Sequence, residues 1–94
     1  MPTPLIDYAE GFDWQEWIRE KIITKHGVQP QEVEECFYES VYKVKRSRDN
    51  SYELFSRSQS GRYLMIIFVW HKRSIRIVTA RDMDKEEREY YRRK

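Results

Sequence analysis

The run Tyr63-Leu64-Met65-Ile66-Ile67-Phe68-Val69-Trp70, then His71-Lys72-Arg73-Ser74, then Ile75-Arg76-Ile77-Val78-Thr79-Ala80, decides how this chain folds. The first segment is short, apolar, and rich in β-branched and aromatic residues, so it reads as a strand rather than a helix. Leu64, Ile66, Phe68 and Trp70 point one way and Met65, Ile67 and Val69 the other. A strand apolar on both faces belongs in the middle of a sheet, with something covering each side. His71 to Ser74 is a turn, and Ile75 to Ala80 returns as the next strand. Simple alternation there sets Arg76 opposite Ile75 and Ile77 and puts Arg81 on the side of Ile75 and Ile77.

Upstream, Val41-Tyr42-Lys43-Val44-Lys45-Arg46 and Tyr52-Glu53-Leu54-Phe55-Ser56-Arg57 flank the turn-forming Ser47-Arg48-Asp49-Asn50 and predict a hairpin. Ser58-Gln59-Ser60-Gly61 links it to the central strand. Before the hairpin the period is helical. Trp14, Trp17, Ile18 and Ile22 form the apolar stripe of a helix over about 14–26, opened by Asp13 with Glu16 as a capping box and closed by Gly27. A second helix opens at Pro30, with Val28 stapled to Val33 and a buried side of Val33, Cys36 and Phe37. Glu32, Glu34, Glu35 and Glu39 fill the rest of it as a solvated face.

After Arg81 a helical tail is predicted, opened by Asp82 or by Asp84 with Glu87 as a second capping box. Tyr90 and Tyr91 give it apolar weight, and Lys85, Arg88 and Arg92 form a basic stripe extended by Arg93 and Lys94. Residues 1–11 read as a loose arm in which Leu5, Ile6 and Tyr8 are the candidates for an edge strand or a packed segment. The architecture expected is α+β: two N-terminal helices packed on a four-stranded antiparallel sheet, with a C-terminal helix, all in one domain spanning 1–94.

The composition narrows the function. The single cysteine, Cys36, excludes an internal disulfide and predicts a reducing cytoplasm. The longest apolar run is too short to cross a bilayer, and the start Met1-Pro2-Thr3-Pro4 has no secretion-signal pattern. Net charge is only +2, but the charges are sorted. Residues 1–40 carry −6, residues 41–81 carry +8 and residues 82–94 balance, which predicts one acidic and one basic surface, the latter suited to a polyanion.

No converging set of carboxylates or histidines is spaced to hold a metal, and His26 and His71 are far apart. No cofactor is implied. No Ser-His-Asp or Cys-His signature is present either, and Cys36 lies in an apolar stripe. The remaining arginines and lysines, interleaved with tyrosines on a sheet, suit one metal-free reaction. In RNA the 2′-hydroxyl is a built-in nucleophile. An enzyme need only orient it, move two protons and stabilise charge on the phosphoryl oxygens, for which arginine's fork is suited. Arg62, Arg76, Arg81, His26 and one of Tyr90 and Tyr91 are the candidates, each with a plain structural alternative: a loop cation, a covering or pairing side chain, a salt bridge to Asp82 or Asp84, a helix cap, or core.

Taken in order, Phe12-Asp13-Trp14, Lys25-His26-Gly27-Val28, Glu32-Val33-Glu34-Glu35-Cys36-Phe37, Gly61-Arg62-Tyr63-Leu64, and Ile75 to Met83 followed by Glu87 and Tyr90 resemble the BrnT family of bacterial toxins, over about residues 12–91. The resemblance implies a RelE-like fold, a metal-independent ribonuclease that arrests growth, and a cognate BrnA-type antitoxin through which operator DNA is bound. By motif it marks Lys25 and His26, Arg62, Arg76 and Arg81, and Tyr90 or Tyr91. The expected roles are a phosphate clamp of Arg62 and Arg81, proton transfer by His26 or a tyrosine such as Tyr91, and RNA positioning by Lys43, Lys45 and Arg46. The chain departs from the family pattern at Gln15 and at Asn50-Ser51 before Tyr52. The rival expectation is a non-catalytic RNA-binding or antitoxin-interaction module on the same fold, and a third is a structural partner of the antitoxin in operator binding.

Overall fold

A computed structural model describes residues 3–93. A 3-10 turn at Leu5–Tyr8 leads into β1 (Gly11–Asp13), α1 (Glu16–His26) and α2 (Pro30–Cys36). The chain continues with β2 (Lys43–Arg46), β3 (Tyr52–Arg57), β4 (Tyr63–His71), β5 (Ser74–Asp82) and α3 (Lys85–Arg92). The strands form one sheet in the order β1-β5-β4-β3-β2.

The sheet is therefore five-stranded and mixed, which corrects the expectation of four antiparallel strands. The meander β2 to β5 is antiparallel as read, and the additional strand is β1, which lies parallel to β5 with Phe12 opposite Ile75 and Asp13 opposite Arg76. Side chains at both positions explain the pairing. Phe12 meets the Phe37 ring edge-on at 5.4 Å, and the Asp13 carboxylate binds the Arg76 guanidinium at 2.7 Å. The segment before β1 is packed, with Leu5, Ile6 and Ala9 against the core and the Ile6 N–H donating to the Phe37 carbonyl at 3.0 Å.

Asp13 is consequently not the cap of α1. The helix starts after Gln15, whose side chain makes no capping bond. Its end is as read, with Gly27 left-handed at φ +61° and its N–H on the Ile22 and Ile23 carbonyls. Pro30 opens α2, and the Glu32 carboxylate accepts the Gln29 N–H at 3.0 Å. At α3 the capping box is complete, with Asp84 and Glu87 each accepting the other's backbone N–H. The hairpin turns place Asp49-Asn50 and Lys72-Arg73 at positive φ, the handedness that matches strand twist.

The main core lies between the sheet and α1–α2. Ile18, Ile22, Val33 and Phe37 close on Leu54, Leu64, Ile66, Phe68, Ile75, Ile77 and Ala80, all essentially without solvent contact. Trp17, expected in the buried stripe, is 61% exposed. The sheet presents only enough apolar surface for Ile18 and Ile22, and Trp14 is held at the margin by its Nε1–H donating to Glu34 at 2.7 Å. On the opposite face α3 covers a smaller cluster of Phe55, Met65 and Met83 with Tyr63, Ile67, Tyr90 and Tyr91 at its edge. No residue of α3 itself is fully buried.

One irregularity corrects the sequence reading. Ile67 faces Thr79 but Phe68 faces Ile77, so Val78 is the extra residue of a β-bulge. Alternation restarts after it. Ala80 joins Ile75 and Ile77 in the main core, while Arg81, opposite Met65, goes to the α3 face together with Arg76.

Candidate nucleic-acid interface

The sequence-predicted cations divide between the two faces of the sheet. Arg62 immediately precedes β4, and its side chain reaches across the main-core side to the end of α1. Its five N–H donors are all engaged: with both Asp82 oxygens at 2.7 and 3.0 Å, with Glu32 at 3.1 Å, and with the Gly27 and His26 carbonyls at 2.8 and 3.3 Å. The guanidinium thus caps α1 and joins it to α2 and to the end of β5. The hydrogen bond from Arg62 is the main reason the Asp82 carboxyl is held below its ordinary range, with smaller contributions from Arg88 and His26. His26 is half-buried at the last position of α1, and Lys25 beside it is exposed.

On the α3 face, Arg81 grips Glu87 through two parallel bonds of 2.7 and 2.9 Å and also donates to the Asp82 carbonyl. That hydrogen bond holds the Glu87 carboxyl below its ordinary range. Since Glu87 also completes the α3 capping box, one carboxylate fixes both the start of the helix and its seat on the sheet. Arg76, further along β5, is held by Asp13. All three arginines named as catalytic candidates are therefore ion-paired within the chain.

Lys43 and Lys45 share the α3 face, opposite Phe55 and Glu53 respectively, whereas Arg46 lies on the other side beside Tyr52. The three do not form one stripe, because residues one apart in a strand face opposite ways. The Lys43 ammonium lies 4.5 Å from the Tyr90 ring centroid and donates to the Tyr90 carbonyl. Lys45 lies 5.2 Å from the same ring, 5.5 Å from Phe55 and 3.8 Å from Glu53. Tyr90 packs edge-on against Phe55 at 5.0 Å, and the Tyr91 hydroxyl donates to the Val41 carbonyl at 3.0 Å. The structure thus brings Lys43, Lys45, Arg81, Tyr90 and Tyr91 together under and along α3. Arg62 and His26 sit at the sheet end on the other side, Lys25 is exposed beside them, and Arg76 is toward the β1 edge.

A second group on the α3 face joins Arg88 and Arg92 of the predicted basic stripe to two residues not among the sequence candidates, Arg57 and Tyr63. Tyr63 and Arg57 are direct cross-strand partners, and α3 sets Arg92 and Arg88 at 5.4 and 6.0 Å from the Tyr63 ring centroid. Arg57, Arg88 and Arg92 have no carboxylate within salt-bridge distance among the described residues. The signal for them was present: Arg88 and Arg92 stand one helical turn apart, and Tyr63 and Arg57 share a face by alternation. What the sequence withheld was which arginines lack an acidic partner. Among the described residues, no group of three or more His, Cys, Asp or Glu is placed to hold a metal ion, and no helix is long and apolar enough to cross a membrane.

Comparison with known proteins bears on this arrangement. The solved structure of the Brucella abortus ribonuclease toxin BrnT superposes with a TM-score of 0.67 at 17% identity, covering 80% of this chain and 97% of that one. At that identity the likeness establishes a shared fold. A search of curated proteins finds no match. The family model described as ribonuclease toxin, BrnT, of type II toxin-antitoxin system matches residues 14–87. That match runs from the start of the helical layer to the Glu87 anchor of α3, and the chain belongs to the BrnT family.

Proposed function

We propose that the chain is the toxin of a type II toxin-antitoxin pair and an endoribonuclease that needs no metal, using the RNA 2′-hydroxyl as nucleophile and arresting translation and growth. Membership of the BrnT family is the observation that carries this reading. The side-chain inventory supports it, because Lys43, Lys45 and Arg81 converge on one face with Tyr90 and Tyr91.

In this reading the RNA backbone runs along the α3 face. Lys43 and Lys45 offset its charge, and Arg81 turns from Glu87 to the phosphoryl oxygens as negative charge builds there. Attack by the 2′-oxygen forms the new P–O bond, the 5′-oxygen leaves, and the products are a 2′,3′-cyclic phosphate and a 5′-hydroxyl. One group accepts the 2′-hydroxyl proton and another delivers a proton to the 5′-oxygen; on the α3 face a tyrosine such as Tyr91 takes one of these roles, and His26, on the other side of the sheet, takes neither. Arg62 supports the end of α1 and of β5 from the other side of the sheet, and Arg76 extends the positive field of the α3 face. The partner is a BrnA-type antitoxin, and operator DNA is bound through the complex.

A second reading is favoured by one observation: Arg62, Arg76 and Arg81 are each occupied by a carboxylate. On that reading the chain binds RNA or antitoxin without cutting. Purified full chain incubated with a defined single-stranded RNA in excess EDTA separates the two, beside a folded Arg81→Gln variant. Cleavage that survives EDTA and is lost in the variant, with cyclic-phosphate ends, is the expected result. Intact RNA, with and without ribosomes, refutes the enzyme and leaves the binding module.

A further inference from the structure

Three arginines with no carboxylate partner among the described residues surround a tyrosine. Arg57 on β3 faces Tyr63 on β4, and Arg88 and Arg92 reach the same ring from α3. Tyr91 closes the ring's other edge at 5.8 Å. The surface between β2, β3 and the end of α3 is a groove of about 490 Å³ that Arg57, Tyr63, Tyr91, Arg92 and Lys43 line. Its one carboxylate, Glu39, is turned to the backbone, accepting the Ser40 and Val41 N–H groups at 3.1 and 3.4 Å.

The geometry points to a backbone-phosphate subsite for single-stranded RNA in this groove: Arg57 and Arg92 take the phosphate oxygens, the Tyr63 hydroxyl donates to them, and Arg88 adds charge at the rim. Ion-pair occupancy distinguishes it from the Arg81 region. A phosphate arriving at Arg81 must displace Glu87, whereas one arriving at Arg57 and Arg92 meets no carboxylate already in place. Two guanidinium groups that line one groove beside the same tyrosine, neither holding a carboxylate, leave a positive field that an anion neutralises. The Tyr63 phenol reports that field, since Arg92 first and then Arg57 hold it below the ordinary tyrosine range. The subsite rests on the ribonucleic-acid reading above and locates where the strand beyond the cleavage point lies.

The test uses the full chain and a 2′-O-methyl single-stranded oligonucleotide, which cannot be cut, followed by fluorescence anisotropy across a salt series. Arg57→Gln with Arg92→Gln is compared with Arg48→Gln plus Lys72→Gln, which removes the same charge from the two hairpin turns at the far end of the sheet. The groove pair should lose about tenfold in affinity at low salt, the scale of a charge-assisted hydrogen bond. It should also flatten the slope of log K against log salt by roughly 0.7 for each phosphate that is no longer engaged. The turn pair should stay within about twofold of the parent. Equal losses in the two pairs, or a groove pair that binds like the parent, overturn the subsite. Arg57→Gln alone, at an exposed site, gives the same comparison should the double variant melt early. Because the probe is uncleavable, a catalytically silent protein that passes this test sinks the enzyme reading alone, and an active one that fails it sinks the subsite alone.

Discussion

Replacing Arg62 with alanine tests whether that side chain is a strut. The substitution removes the paired bonds to Asp82, the bond to Glu32, and the donors to the Gly27 and His26 carbonyls. Asp82 is 57% exposed, so that pair is screened and contributes about 1 kcal/mol. Glu32 is 22% exposed, and with the two carbonyls at the end of α1 it brings the total to about 2–3 kcal/mol. For a domain of this length that lowers the melting midpoint by roughly 8–20 °C. Arg62→Lys keeps the charge but cannot reproduce five donors in a plane, so it should recover less than half of the loss. Thermal unfolding by circular dichroism, read together with urea titrations at equal slope, gives the number. A shift under about 3 °C for Arg62→Ala would mean that water replaces the guanidinium at little cost. The strut assignment would then fail, and Arg62 would be free to serve as the phosphate clamp its motif suggests.

Four further outcomes rest on the same structure. Ultraviolet titration should show Tyr63 as the first phenol to ionise, below the usual tyrosine value, whereas Tyr42 and Tyr91 are raised by burial; Arg92→Gln should move the first step upward. Asp82 and Glu87 have folded values below the unfolded 3.8 and 4.5, so their stabilisation is full above that range and is lost as pH falls through the folded values; acid unfolding should begin below about pH 4.5 and be shallower in Arg62→Ala, which can be followed by midpoint against pH. Burial first, and then Glu35 and Glu32, push the Cys36 thiol up to about 12, so a thiol reagent should label it only at the rate of unfolding. Phe37→Ala, which empties a site bounded by Phe12 and Phe68 at 5.4 and 5.2 Å, should cost about 3–5 kcal/mol in urea unfolding.

Features set by near neighbours were legible. Gly27, Pro30 and the Asp84–Glu87 box mark helix ends because a cap is an interaction across three or four residues. The antiparallel meander was equally plain, since each strand turns straight into its partner. β1 was not, because three residues carry no period and their partner β5 is more than sixty positions away. Arg81 was assigned to the wrong side for a related reason: a bulge leaves no mark in the alternation of Ile75, Ile77 and Val78. Charge sorting marks the sheet as the basic part of the chain but not how its cations divide between the two faces. Which cations are already satisfied was not legible either, because Arg62–Asp82 and Arg76–Asp13 are long-range pairs that alternation and capping rules do not address.

The bulge at Val78 also gives this strand slack in length as well as in letters. Val78 is exposed, so many side chains fit there. Removing the position altogether closes the bulge with Ile77 still inward, Thr79 outward, Ala80 inward and Arg81 outward, so the register with β4 survives. Loss of this one unpaired residue should therefore be found among descendants of this gene beside substitutions at Val78. In distant relatives the inward positions of this strand should outlast the count of residues between them.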